Sequence, residues 1–408
     1  MKVLALLAVV LTAVLAEQVN YDGYKVYKVT PRSQDQADFL KSLEDSGEFD
    51  FWDHTRLLEY PVSIMVKPAL QASFENVLNL KYMHYSILID DVERVFKFER
   101  EAQLRAPKVE KGRISFTEYH RYGVIQAYLE NLAEQYPDNV EVGTFGTSSE
   151  GRSMSYIKIG NNPGNPTIVM DAGIHAREWI SPATALYIIE QLVENQDYAY
   201  LSENINWLIV PVLNPDGYEY THTNDRMWRK TRSRGSTCYG VDGNRNFGFQ
   251  FGGLGTSSNE CSETYRGKNA FSEPETAAYS ELVKTLNDVP LYIALHSYGS
   301  WVLFPWGYDY VYADDNDELQ AVGDRIANAI YNVGGTRYTV GNAAYLLYPA
   351  AGASDDWMKS TIAPLSFTLE LPGGGSQGFD LPASQISSVV KETWQGILAA
   401  YSYVSKKY

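Results

Sequence analysis

Asp171-Ala-Gly-Ile-His175-Ala-Arg-Glu178-Trp179 brings an imidazole, a guanidinium and a carboxylate to the end of an apolar run, Thr167-Ile-Val-Met170. His175 and Glu178 stand three residues apart, so one turn of chain can aim both at a common point, with Arg177 adding positive charge beside it. This is part of a donor set for zinc, which accepts imidazole nitrogen and carboxylate oxygen and at catalytic sites keeps one position open. A further donor is needed, and the chain holds six histidines: His54, His84, His120, His175, His222 and His296. His296 closes the apolar run Leu291-Tyr-Ile-Ala-Leu295, in the same strand-terminal position as His175, and is the leading candidate. Taken singly, a His-x-x-Glu pair also fits a solvated or capped histidine, and His296 also fits a satisfied core residue.

Positioning these groups requires strands that end together. Residues 155–159, 167–170, 207–213, 291–296 and 365–370 are near-continuous apolar runs, the pattern of strands covered on both faces. Ser181-Pro182 is expected to open a helix over residues 183–195, with serine as N-cap and proline in the first position. The chemically active residues then fall at the carboxyl ends of the strands, where open α/β sheets form their clefts.

Upstream lies a smaller unit. Residues 24–30 alternate with period two and predict a strand, and residues 34–44 place Ala37, Phe39, Leu40 and Leu43 on one helical face. Residues 49–52 and 61–66 read as strands, 70–80 as a helix and 82–89 as a strand. The order βαββαβ is that of a ferredoxin-like α/β sandwich. A charged helix over residues 92–103 leads to Ala106-Pro-Lys-Val-Glu-Lys-Gly-Arg113, whose turn formers and basic residues predict an exposed, trypsin-accessible linker.

With 408 residues, 45% of them hydrophobic, the chain can build one large domain and a smaller one. Met1-Lys2 followed by the apolar residues 3–16 has the form of a secretory signal cut near Ala16. No later apolar run approaches the roughly 18 residues of a membrane span, so a soluble, secreted product is expected. The only cysteines, Cys238 and Cys261, are then expected to form a disulfide that stabilises by roughly 3 kcal/mol. A net charge of -16 excludes nucleic acid as an obvious partner and attracts cationic ligands at long range.

Further motifs follow in order: His175-Ala-Arg-Glu178-Trp-Ile-Ser, Asn224-Asp-Arg-Met-Trp-Arg229-Lys-Thr-Arg-Ser, Asp242-Gly-Asn244-Arg245-Asn-Phe, His296-Ser-Tyr298, Leu347-Tyr348-Pro-Ala-Ala-Gly352 and Phe367-Thr-Leu-Glu370-Leu. Together they resemble the zinc carboxypeptidases of the pancreatic A/B type, over practically the whole chain. The resemblance implies an α/β fold with a mixed, largely buried eight-stranded sheet flanked by helices, preceded by a small α+β ferredoxin-like propeptide. It divides the chain into a signal peptide (1–16), an activation propeptide (17–113, its globular part about 20–91) and a catalytic domain (114–408). Arg113 becomes the activation cleavage site and Ile114 the mature amino terminus, with Arg105 a less favourable cut.

By the same resemblance one Zn2+ is held by His175, Glu178 and His296, and Asp242 accepts a hydrogen bond from His175 that fixes its tautomer. Glu370 corresponds to the general base and acid, taking a proton from water activated by the metal and delivering it to the leaving amine. Arg229 corresponds to the group that polarises the scissile carbonyl and holds the oxyanion. Asn244 and Arg245 correspond to the clamp for the free α-carboxylate, a task suited to the guanidinium fork. Tyr348 matches a mobile phenol that closes over substrate, and Arg177 and Tyr298 match outer-subsite residues. Asp50, in Phe49-Asp-Phe-Trp52, is expected to place its carboxylate near Arg245 before activation.

Specificity rests on Ala353-Ser354-Asp355-Asp356-Trp357. The position of Asp355 is typically apolar in A-type relatives and aspartate in B-type ones, so terminal lysine or arginine is expected, with Gly307 and Ala343 as small wall residues and Asp356 structural. The expected partners are peptides with a free carboxyl terminus, an activating trypsin-like protease and proteinaceous carboxypeptidase inhibitors, with no nucleic acid or membrane, and the protein a monomer. Pro372-Gly-Gly-Gly375 departs from the Arg-Asp turn of vertebrate digestive relatives and suggests an invertebrate digestive enzyme of the gut lumen. The competing readings are A-type specificity, a secreted zinc-binding relative without catalysis, and a regulatory enzyme that trims hormones.

Overall fold

The computed structural model describes residues 18–53, 58–374 and 378–407; the signal-like segment, His54 and Gly375 fall outside them. In the N-terminal unit β1 (Lys25–Thr30), α1 (Gln34–Ser46), β2 (Asp50–Phe51), β3 (Val62–Val66), α2 (Pro68–Leu80) and β4 (His84–Ile89) follow one another. Their sheet runs β2-β3-β1-β4 with every neighbouring pair antiparallel. α1 starts where Ser33 accepts the Gln36 amide and stops at Gly47 in left-handed backbone.

Strand alternation decides which way each residue of this sheet faces. Tyr27, Val29, Val62, Ile64 and Val66 join Leu40, Phe74 and Leu78 in a core of their own, whereas Val26 and Met65 pack with Met227 and Phe379 of the large unit. Both faces are therefore buried, one under the helices and one against the neighbouring unit. α3 (Val92–Arg105), capped by Asp91, extends that contact through Phe96. Residues 106–113 then run without helix or strand, and the Arg113 side chain is half exposed.

In the large unit α4 (Tyr122–Gln135) precedes the hairpin of β5 (Val140–Thr147) and β6 (Ser153–Ile159). β7 (Thr167–Ala172), α5 (Ile180–Val193), β8 (Asn206–Val210), α6 (Pro215–Thr223), α7 (Pro274–Lys284) and β9 (Leu291–Ser297) build its centre. β10 (Trp301–Phe304), α8 (Asn316–Gly334), β11 (Thr339–Asn342), α9 (Ala343–Leu346), α10 (Ser354–Thr361), β12 (Leu365–Leu371) and α11 (Ala383–Val404) complete it. The eight strands form one mixed sheet in the order β11-β10-β12-β9-β7-β8-β6-β5, parallel from β12 to β8. β7 and β9 are buried at every residue because α5, α8 and α11 cover one face and α7 and α10 the other.

The start of α5 differs from expectation. The chain already turns helical at Trp179, so Ser181 is not the N-cap. Its hydroxyl instead accepts from the Gly173 amide at 3.1 Å and donates to the Glu178 carbonyl at 3.0 Å, tying the helix to the end of β7. The strand expected over 207–213 stops at Val210. Cys238 and Cys261 are disulfide-bonded, and no helix among the described residues is long and apolar enough to cross a membrane.

Candidate metal centre and substrate cleft

Three parallel strands end at one place. β7 leaves the sheet at Gly173, whose left-handed backbone turns the chain; a Cβ there would stand 3.0 Å from Pro182. His175 and Glu178 follow on that turn, while His296 and Glu370 are register partners at the ends of β9 and β12.

His175, Glu178 and His296 are buried, and their donor atoms lie within 4.8 Å of one another. Nδ1 of His175 is 3.2 Å from Nδ1 of His296 and 2.7 Å from Glu178 Oε1, and Glu178 Oε2 is 3.1 Å from His296 Nδ1. Donors at about 2.0–2.1 Å from a tetrahedral zinc stand about 3.3 Å apart, so the convergence of two imidazole nitrogens and a carboxylate fits that ion. The far nitrogen of His175, Nε2, is 3.0 Å from Asp242 Oδ1, which leaves the Nδ1 lone pair directed at the centre.

Asp242 is the hub behind the metal group. It also accepts from Arg229 Nη2 at 2.8 Å and from the Asn244 amide at 3.0 Å. Burial opposes its charge, but Arg229, Arg245 and His175 hold the carboxyl well below the usual carboxylate range. Arg245 donates to the Gly255 carbonyl at 3.0 Å and to the Tyr348 hydroxyl at 3.1 Å, so the two side chains are already in contact. For Glu370, burial pushes the carboxyl up to about 8, against the pull of His296 and Arg229.

One cavity of about 590 Å³ joins the metal group, Arg245, Glu370 and Asp355. Asp355 is only 5% exposed, and Thr368 Oγ1 donates to its Oδ2 at 3.1 Å. Burial raises its carboxyl above the ordinary value, and Thr368 and the Asp356 amide oppose that rise. Asp356 instead accepts the Gly307 and Tyr308 amides at 2.7 and 2.8 Å, a structural use. Gly307 and Ala343 line the cavity, as do Gly373 and Gly374. At Gly374 a side chain would meet the Asp380 carbonyl at 2.5 Å, so this turn packs too closely for a Cβ.

The outer rim is covered by the N-terminal unit. Arg177 is fully buried and donates to Asp50 Oδ1 at 2.9 Å and to the Phe51 carbonyl at 3.3 Å, with its guanidinium 4.3 Å from the Phe379 ring centre. Asp50 is thus paired with Arg177 and not with Arg245, because β2 ends over the turn that carries His175 and Glu178. Trp52 packs edge-on against Phe379, which also meets Tyr298, and Trp52 and Asp53 close the cavity. Sequence reasoning gave no role to Asp53, nor to Glu99, whose carboxylate takes Arg226 Nε at 2.6 Å and Nη2 at 3.1 Å. Arg226 lay inside a quoted motif, and that was the only available signal.

A zinc-compatible trio at the ends of parallel strands, with a carboxylate beside it, two buried guanidinium groups lining the same cavity and a covering N-terminal unit, defines a metallohydrolase held closed by its own chain. Residues 125–396 match the family described as zinc carboxypeptidase, and residues 27–99 match the carboxypeptidase activation peptide. The chain belongs to the zinc carboxypeptidase family and, with its activation peptide, is the zymogen of an exopeptidase. Carboxypeptidase B of Helicoverpa zea is 39% identical over 419 aligned positions, covering 97% of this chain and 96% of its own. Zinc carboxypeptidase A 1 of Anopheles gambiae is 37% identical, covering 97% and 93%. The crystal structure of carboxypeptidase A from Helicoverpa armigera superposes with a TM-score of 0.91 at 33% identity, covering 96% of this chain and 99% of that one. Relatives bear both A and B names, so membership does not assign the terminal residue released.

Proposed function

We propose that the activated form of this secreted zymogen releases terminal lysine and arginine from peptides. The observation that carries this preference is Asp355, a carboxylate buried at the side of the cavity that also holds the metal group and Arg245. A lysine or arginine side chain there restores the carboxylate's compensation, whereas an apolar or acidic one leaves it unpaired or repelled.

In this reading Arg245 and Asn244 hold the substrate's α-carboxylate and Tyr348 closes over it. Arg229, kept charged and oriented by Asp242, faces the scissile carbonyl oxygen as negative charge develops. Zinc, when bound by His175, Glu178 and His296, supplies the Lewis acidity that makes water nucleophilic and the carbonyl electrophilic. Glu370 takes a proton from the attacking water and returns it to the leaving amine.

The propeptide is assigned to residues 17–113 and the enzyme to 114–408, with a trypsin-like protease cutting after Arg113. The test is a profile of the residues released from a mixed peptide set after tryptic activation. Release of Lys and Arg well ahead of Phe, Leu and Glu is expected; a lead for Phe or Leu establishes A-type specificity instead.

A further inference from the structure

A buried polar atom left unpaired costs about 1–3 kcal/mol, so such atoms mark places where a further partner belongs. Among the described residues His296 Nε2 and Asp171 Oδ1 are of this kind, and Ser354 Oγ, which has no well-aligned partner, lies beside the Tyr292 hydroxyl. Strand register brings them to one spot. Asp171 on β7 and Thr368 on β12 both pair with Ala294 on β9, and His296 lies two residues beyond Ala294 on the same face. Ser354 opens α10, which packs over β9 through Trp357 and Met358.

Asp171 is held rigidly. Tyr279 and Tyr292 donate to its Oδ2 at 2.8 and 2.6 Å, leaving Oδ1 as the available acceptor. Burial raises its carboxyl; Tyr292, Tyr279 and His296 oppose the rise and Asp355 adds to it, so the imidazole and both carboxylates share one neighbourhood. The chemistry is complementary. His296 turns Nδ1 toward Glu178 and His175, so with a metal at Nδ1 its proton is on Nε2 and needs an acceptor. A carboxylate oxygen supplies one, and a hydroxyl can take either part.

We infer that Asp171 is a positioning residue for His296, holding its Nε2–H through one buried water that Ser354 Oγ completes. Three polar partners is the usual complement of a buried water. Asp242 orients His175 directly, and Asp171 does the same for His296 at one remove. The inference rests on the reading of His296 as a zinc ligand.

Zinc affinity of the full-length protein, measured by competition with a chelator, tests it together with a high-resolution structure of the zinc-loaded protein. Asp171→Asn keeps the side-chain volume but weakens the acceptor; it is expected to lower zinc affinity about 10- to 100-fold while the melting temperature of the metal-free protein changes little. Ser354→Ala is expected to lower affinity severalfold, and it decides the matter where Asp171→Asn does not fold. Unchanged zinc affinity in these variants, or a structure in which His296 Nε2 meets a different partner, overturns the inference. His296→Ala separates the two levels: zinc bound at wild-type affinity in that variant defeats the ligand reading itself.

Discussion

Asp50 Oδ1 accepts a hydrogen bond from Arg177 Nη1 at 2.9 Å, although 127 positions separate the two residues. Arg177 stands between His175 and Glu178 and has no solvent exposure, so its charge is compensated by a carboxylate that belongs to the activation peptide. The same short strand delivers Trp52 and Asp53 to the cavity. Latency and metal site are therefore joined at one ion pair.

Weakening this pair should loosen the cover. Asp50→Asn in the full-length chain is expected to raise activity before proteolysis at least about tenfold, since truncating one partner of a buried charge pair costs about 2–5 kcal/mol and Asp50 retains some solvent access. Hydrolysis of a blocked dipeptide ending in arginine reads the effect. Latency equal to wild type would mean that the remaining contacts suffice.

Glu370→Gln is expected to lower kcat by at least about 10² while metal analysis still finds one zinc, because the proton carrier is lost and the ligands are untouched. His175→Ala removes metal and activity together. Near wild-type turnover in the purified Glu370→Gln enzyme rejects the assignment of the base.

Asp355→Ala is expected to erase the preference for basic termini, and Asp355→Lys to turn it toward acidic ones. Leaving a buried charge unpaired costs about 2–5 kcal/mol, which corresponds to about 30- to several-thousand-fold discrimination in kcat/KM. A preference for Lys and Arg that survives Asp355→Ala places the determinant elsewhere.

Arg113 Nη1 is 3.0 Å from Glu194 Oε1, and Tyr128 holds the other oxygen of that carboxylate at 2.9 Å. A protease must detach this side chain to bind it. Glu194→Gln is therefore expected to speed tryptic activation severalfold, with release of a fragment of about 95 residues. Amino-terminal sequencing should find Ile114 in both proteins, and a different start would move the processing site.

Glu275, on α7, is 1% exposed, and burial beside Glu273 and Asp216 pushes its carboxyl up to about 8 from the ordinary 4.5. The native state then binds a proton that the unfolded chain has lost, so this contribution is fully present below pH 4.5 and disappears as pH rises to about 8. Glu275→Gln should flatten the decline in stability over that window, by a few kcal/mol at most, as read from urea midpoints at several pH values. Parallel curves for the two proteins would rule out the titration.

Local pattern made much of this molecule legible before any coordinates. The period-two run around Tyr27 and Val29 is a strand because alternate residues of one sheet face must be apolar. His175 and Glu178 could be read as joint donors because a single turn spans them, and the run ending at His296 marked a buried strand with chemistry at its tip. The ordered motifs then carried Asp242, Arg229 and Arg245, and the run over residues 353–357 carried Asp355; each lies in or beside the same cleft.

Other relationships exist only once the strands are ordered and the two units meet. Asp50 was expected near Arg245 and pairs with Arg177, because the reach of β2 is set by packing Val26 and Met65 against Met227 and Phe379. Ser181 looked like a helix cap and instead locks the metal turn, since the chain becomes helical two residues earlier. Asp171 sits in an apolar strand, and its partners Tyr279 and Tyr292 come alongside only when α7 and β9 pack against β7. Periodicity records which face of an element is buried; it does not record which distant residue that face will meet, because that partner is set by sheet order and domain contact.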